Sequence, residues 1–473
     1  MYVHPYQFCL SACSIVHLQP SMAQDASNIE LKVGISNKHI LRIALPVAFA
    51  ILIPQLNFIT NNIFLGRIGE QQLAIAGITG VYYLVFATIG FGLNNGLQAL
   101  ISRRAGENRA GEIGNIFNQG VRISLFFAAF SIVVTYLLAP PLLSVSLHNP
   151  TDVAIAIQFL RIRIWGLPFL YIYQMRNALL VGTNQSKLLV SGTLAETIAN
   201  IVLDYGLIFG HFGLPALGFD GAAYASILSE ITGLVVVFFV MQRKGVGKQL
   251  QLFKKYAYDA AKVKLIFEQS SPVILQYVIS LASWEFFYIL VEHHGARELA
   301  ISNTMRNIFG LFGCITWAFA STTTSMVSNI IGQGLQSKVP ELMMKIIKLS
   351  TGFSILIFIL LNTTAGYFLQ VYGQGETFIN EAIPVVRVVS TALIIMSFST
   401  VYLNAVLGTG NSKINLAIEI VAIILYSLYA YYVLEYLNLS LAIGWMAEWI
   451  YWLFIFTCAY LYMRSGRWKN KVI

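Results

Sequence analysis

The sequence predicts an all-α membrane protein of about twelve transmembrane helices, arranged as two six-helix bundles of the same orientation around a central cavity. Three observations predict it: a composition too poor in charge for water, twelve apolar runs of spanning length, and an internal repeat. Hydrophobic residues make up 57% of the 473 residues and charged ones 11%, with mean hydropathy +0.69. Soluble domains carry charge on roughly a quarter of their residues. A chain this short of charge has lipid as its main solvent.

A span needs roughly 20 mostly apolar residues. Candidates fall at 40–65, 78–102, 119–140, 157–181, 187–210, 220–241, 266–291, 304–331, 344–369, 382–407, 414–435 and 441–463. Between the sixth and seventh lies the longest polar stretch, 242–264. The chain thus divides into an N-terminal extension (1–37), a first lobe (38–241), a cytoplasmic linker (242–264), a second lobe (265–464) and a basic tail (465–473). Residues 1–21 carry no Lys or Arg and hold Pro5 and Pro20, so they read as neither signal peptide nor span; Met22 is a plausible true start.

The net charge of +9 is dispersed in short clusters between apolar runs, which marks topology and excludes a nucleic-acid surface. With the N-terminus inside, inner segments hold 22 of the 30 Lys and Arg and outer loops hold two, Arg67 and Arg297. Cationic loops resist translocation, so both termini are expected in the cytoplasm and the chain in the inner (plasma) membrane. Cys9, Cys13, Cys314 and Cys458 show no metal-ligand or disulfide spacing.

The repeat has one fixed offset, 226 residues. It relates Pro46-Val47 to Pro272-Val273, Ser102 and Gly106 to Ser328 and Gly332, and Arg161 to Arg387. It also relates Gly182-Thr183 and Ser186-Lys187 to Gly408-Thr409 and Ser412-Lys413. An even number of spans per half gives the halves the same orientation, so the axis relating them runs along the membrane normal. Two such bundles suit alternating access to a site near the midplane.

Chemistry concentrates on the fifth span, where Glu196, Asn200 and Asp204 follow at successive turns and share one face. A charge at the bilayer centre costs on the order of 2.5–3.5 kcal/mol, so such groups are expected to face the cavity. Asp204 is read as a proton carrier or, with Asn200 and Ser226, as a source of hard oxygen ligands for Na⁺. In the seventh span Glu285 stands beside Trp284 and Tyr288, a setting that suits a flat cation held by charge and stacking. Glu230, Glu419 and Glu448 are further in-span acids that line the cavity or pair with a neighbour such as Arg306. Arg161 and Arg387 read as helix-end or outer-gate residues.

Leu45-Pro46 and the run Asn62-Ile63-Phe64-Leu65-Gly66-Arg67-Ile68-Gly69 resemble the opening of multidrug and toxic compound extrusion (MATE) transporters. Gly166-Leu167-Pro168, Gly182-Thr183-Asn184 and Asn200 through Asp204 are similar to that family's fourth and fifth helices. The pattern continues through Gly206–Gly210, Pro215–Gly218 and Gly221-Ala222-Ala223, and covers about residues 38–464. The resemblance, nearest to the DNA-damage-inducible (DinF-like) branch, implies an antiporter that expels organic, often cationic, compounds for H⁺ or Na⁺. It also implies a coupling site at Asn200, Asp204 and Ser226, with Asn61 standing where that branch has an Asp. Glu196 is then the candidate to supply the missing charge. Relatives in other branches carry an acid nearer the proline of the seventh helix, where this chain has Ser280.

The expected partners are small-molecule substrates and membrane lipid, with the chain a monomer, no enzyme and no cofactor beyond the coupling ion. A lipid-linked oligosaccharide flippase of the same superfamily is the alternative, but in-span arginines are few for a pyrophosphate cargo. A membrane-embedded transferase needs a clustered acid/base or metal motif, and none appears.

Overall fold

The structure, a computed structural model, describes residues 30–471 except 148, 371, 372 and 374. The expectation of a start at Met22, and Cys9 and Cys13 with it, lie outside the described residues.

Among the described residues twelve long helices follow in order. The first six are α1 (Asn37–Ile68), α2 (Glu70–Gly106), α3 (Ala110–Ser146), α4 (Pro150–Gly182), α5 (Lys187–Phe209) and α6 (Phe219–Arg243). The second six are α7 (Ala260–His294), α8 (Ala296–Gly332), α9 (Gln336–Gln370), α10 (Glu376–Gly408), α11 (Ser412–Tyr436) and α12 (Leu441–Ser465). Lipid forces this choice, since a helix satisfies its own backbone groups where water is absent.

Eleven of the twelve are long and apolar enough to cross a membrane; α8, expected to span at 304–331, falls short. Its run of Thr322, Thr323, Thr324, Ser325, Ser328 and Asn329 is buried against protein, so polar side chains replace lipid-facing ones. Pro168 breaks α4, whose turn Ile164–Gly166 is a 3₁₀ turn between Pro150–Arg163 and Leu167–Gly182. A proline ring lacks an N–H and clashes with the carbonyl four residues before it, which accounts for the break.

Packing reproduces the repeat. In the first lobe α1 packs on α5, α2 and α3 on α4, and α5 on α6; in the second, α7 packs on α11, α8 and α9 on α10, and α11 on α12. Across the lobes α1 meets α8, α2 meets α7, and α2 meets α8. Exchanging the halves turns the first of these contacts into the second and leaves the third unchanged, as a two-fold axis beside α2 and α8 requires.

The side chains on that axis obey the same exchange. Ser102 Oγ lies 2.8 Å from Ser325 Oγ, and Ser328 Oγ donates to the Ala99 carbonyl at 2.7 Å. Ser102 and Ser328 are repeat partners, and so are Ala99 and Ser325, so each contact is the image of the other. A Cβ on Gly106 would strike the Asn329 carbonyl, and one on Gly332 would strike that of Arg103, again an exchanged pair. Glycine at these two positions lets the helix backbones touch.

Buried Arg103 extends the seam, donating to the carbonyls of Gly408 at 3.5 Å and Thr409 at 3.4 Å. The segment before α1 crosses to the second lobe: Asn329 Nδ2 donates to the Leu31 carbonyl (2.8 Å) and Val33 N to Asn329 Oδ1 (3.2 Å). Gln333 and Lys345 add bonds to the carbonyls of Val33 and Ile35, each at 3.0 Å. The linker, which includes a short helix Val246–Gln249, is held on α3 by Asn118 and Gln119, each 2.8 Å from the carbonyls of Leu252 and Ala257.

Candidate functional site

α1 and α5 each present two polar residues one turn apart, and their packing interleaves them. Asn57 and Asn61 come from α1, Asn200 and Asp204 from α5. Asn57 Nδ2 donates to Asn200 Oδ1 at 2.8 Å. Oriented to meet its acceptors, the Asn61 amide donates to Asp204 Oδ2 at 2.6 Å and to Asn200 Oδ1 at 2.9 Å. Asp204 is 0% exposed and Asn200 1%. Two acceptors stay unsatisfied in this set, Asp204 Oδ1 and Asn57 Oδ1. Buried polar atoms without partners cost about 1–3 kcal/mol each, so the free Asp204 oxygen is suited to receive a proton or a small hard cation.

The other sequence-predicted residues stand elsewhere. Ser226 on α6 donates its hydroxyl to the Ala222 carbonyl of its own helix at 2.9 Å and makes no hydrogen bond to Asp204. Partly buried Glu196 sits by Gly233 of α6, within electrostatic reach of Glu230, Arg176 and Arg163. Glu230, 6% exposed, pairs with Arg163 rather than Arg306, through Nη2–Oε1 at 2.6 Å and Nη1–Oε2 at 3.4 Å. A Cβ on Gly166 would lie 2.7 Å from Glu230 Oε2, so the broken turn of α4 makes room for this pair. The Arg163 guanidinium lies 4.0 Å from the centre of the Tyr83 ring, and that of Arg176 lies 3.9 Å from Tyr173's.

Arg163 also lies within electrostatic reach of Asp204, which links the two groups of polar residues. Sequence reasoning missed Arg163, Arg176 and Asn57. An arginine three residues before Gly166 and five before Pro168 was the available signal for the first, and the one-turn spacing from Asn61 was that for Asn57; Arg176 carried none beyond being polar within a span.

In the second lobe Glu285 is partly buried and makes no hydrogen bond or ion pair to a described residue. Tyr288 donates to the Ser302 carbonyl at 2.9 Å. Arg306 covers both Trp284 (5.5 Å) and Tyr288 (5.6 Å), so the aromatics beside Glu285 already hold a cationic side chain. Trp452 Nε1 donates to buried Glu448 at 2.9 Å. Among the described residues no group of His, Cys, Asp or Glu has the arrangement of a metal cluster.

One family pattern, MatE, matches residues 46–206 and again 272–432. The chain belongs to the MatE family. Its two MatE matches begin and end at the same 226-residue offset as the paired residues and the exchanged seam contacts. A relative from Rhizobium meliloti, "Probable multidrug resistance protein NorM", is 23% identical over 297 residues, covering 62% of this chain and 63% of its own length. A relative of the same description from Synechocystis is 24% identical over 344 residues, 71% of each chain. The chain thus spans roughly two thirds of the length of these curated relatives.

The fold has solved counterparts. A MATE protein crystallised in complex with MaL6 superposes with TM-score 0.83 at 19% identity, over 93% of this chain and 98% of that one. A MOP superfamily transporter from Pyrococcus furiosus gives 0.82 at 18%, over 93% and 97%. This MatE chain is therefore a multi-pass membrane protein with the fold of those structures.

Proposed function

We propose that the chain is a secondary antiporter that exports organic compounds, cationic or neutral and amphipathic, in exchange for H⁺ or Na⁺. One observation carries the reading: Asp204, fully buried in a spanning helix, keeps a carboxylate oxygen without a hydrogen-bond partner. An ordinary structural acid at that depth is paired, as Glu230 is with Arg163. A buried carboxylate that protein amides hold by one oxygen and leave free at the other is what ion coupling needs. The multidrug resistance names of the relatives support the choice of cargo class, and the membership of a transporter fold supports the process.

The charge distribution supports an inner-membrane location with both termini cytoplasmic. In that orientation the seam from Asn95 to Arg103 lies toward the cytoplasmic side. Everted membrane vesicles carrying a pH-sensitive dye test the reading. Addition of an organic cation should discharge an imposed proton or sodium gradient in vesicles with the chain and not in those without it. No response under either gradient refutes antiport.

A further inference from the structure

The α7–α11 interface of the second lobe is the repeat counterpart of the α1–α5 interface that holds Asp204, and it carries the same chemistry at a different depth. Glu419 and Asn415 lie one turn apart on α11, 2% and 3% exposed. Asn415 Nδ2 donates to Gln276 Oε1 of α7 at 2.6 Å, just as Asn57 bonds Asn200 across the first interface. Ser280 Oγ of α7 lies 2.9 Å from Glu419 Oε1, and the Tyr451 hydroxyl of α12 donates to the same oxygen. The other carboxylate oxygen, Glu419 Oε2, has no partner, and neither has Asn415 Oδ1. These two buried acceptors, one turn apart on α11, lack donors as Asp204 Oδ1 and Asn57 Oδ1 do at the first interface, where they come from two helices.

We propose that Glu419 and Asn415, backed by Ser280 and Tyr451, form a second binding site for a monovalent cation, H⁺ or Na⁺. A proton on Glu419 Oε2 donates to Asn415 Oδ1 and satisfies both oxygens at once. A sodium ion takes both as ligands, with hard oxygen being its preferred donor. Glu419 forms no ion pair among the described residues, so nothing else offsets its charge. The titratable groups that face it are Tyr451 from α12 and Tyr277 from α7, and Glu448 is felt through Tyr451.

The site's place suits a role at the seam. Asp204 lies 17 residues beyond Lys187, but Glu419 only 6 beyond the repeat-related Lys413. At about 1.5 Å per residue this places Asp204 about 26 Å and Glu419 about 9 Å from the basic ends of their helices. Glu419 therefore stands near the seam, where Tyr277 receives a 2.7 Å hydrogen bond from Asn95 of the first lobe. Filling or emptying the site changes the charge directly behind that inter-lobe bond.

The proposal deepens the antiport reading, and its test uses binding alone so that the two stand or fall separately. The purified full chain, free of any organic cargo, is measured by equilibrium binding of radioactive sodium and by infrared titration of carboxyl C=O bands in sodium-free buffer. Across the two arms the wild type should bind two cations per chain, Asp204→Asn and Glu419→Gln one each, and the double variant none. Asn415→Leu, which keeps the acid, should weaken the second site at least tenfold and decides the matter if Glu419→Gln does not fold. An unchanged count in Glu419→Gln in both arms, or loss of all binding in Asp204→Asn, overturns the site. A chain that binds two cations but moves no cargo in vesicles refutes the antiport reading and leaves this site intact.

Discussion

Asp204 and Glu230 are both buried acids of the first lobe, and their partners separate their roles. Asp204→Asn removes the charge but keeps shape and hydrogen bonding, so the expected result is normal membrane yield with loss of proton- or sodium-driven efflux. Drug resistance in cells and dye response in vesicles read it, and wild-type efflux in this variant sinks the coupling site. Glu230→Gln instead leaves Arg163 buried with half a partner. Breaking a buried pair costs about 3–5 kcal/mol, while replacing both partners with apolar residues is often near neutral. Thermal unfolding in detergent should therefore fall more for Glu230→Gln than for the double change Arg163→Met with Glu230→Leu; the reverse order contradicts a pairing role. Glu196 stands between the two, close to Arg163 and Arg176 but outside the hydrogen bonds of Asp204. Glu196→Gln should alter the pH profile of efflux through the charge on Arg163, without abolishing it. An unchanged profile makes it a solvated entrance residue.

At the scale of the helix, the seam and the broken α4 depend on missing side chains. Gly332→Val places bulk against the Arg103 carbonyl and should lower both melting temperature and efflux. Gly352 on α9 meets nothing within 4 Å, so Gly352→Ala should be neutral or stabilising by up to ~1 kcal/mol, the usual gain of Ala over Gly in a helix. Equal effects of the two changes contradict the close approach. The twelve helices were legible because apolar length is a one-dimensional signal, and the pairing of Ser102 and Gly106 with Ser328 and Gly332 already marked the axis. The partner of Glu230 was not legible. It depends on Gly166 and Pro168 breaking α4 so that Arg163 turns to α6, a relation between three segments that no spacing encodes. The one-turn spacing of Glu196, Asn200 and Asp204 says nothing of which neighbour each turn meets; α1 meets the last two and α6 the first. Asn57 went unnoticed although it lies one turn before Asn61, because an uncharged amide is chemically quiet until a second helix brings Asn200 to it.

For the whole molecule, the direct inter-lobe hydrogen bonds gathered along α2 from Asn95 to Arg103 form a zipper that has to part under the proposed antiport. Ser102→Cys with Ser325→Cys places two thiols where hydroxyls lie 2.8 Å apart. Oxidation should join the lobes and stop efflux, and reduction should restore it; full efflux in the cross-linked protein contradicts a seam that opens. The segment ahead of α1 reaches from the first lobe to Asn329, Gln333 and Lys345 of the second, and the linker ahead of α7 reaches back to Asn118 and Gln119 of the first. Gln119 and Lys345 are themselves repeat partners, so each lobe is tied by a strap from the other. Trimming the first strap past Val33 while leaving every spanning helix intact would untie one lobe only, and under the proposed antiport it should change how long the chain dwells open to each face.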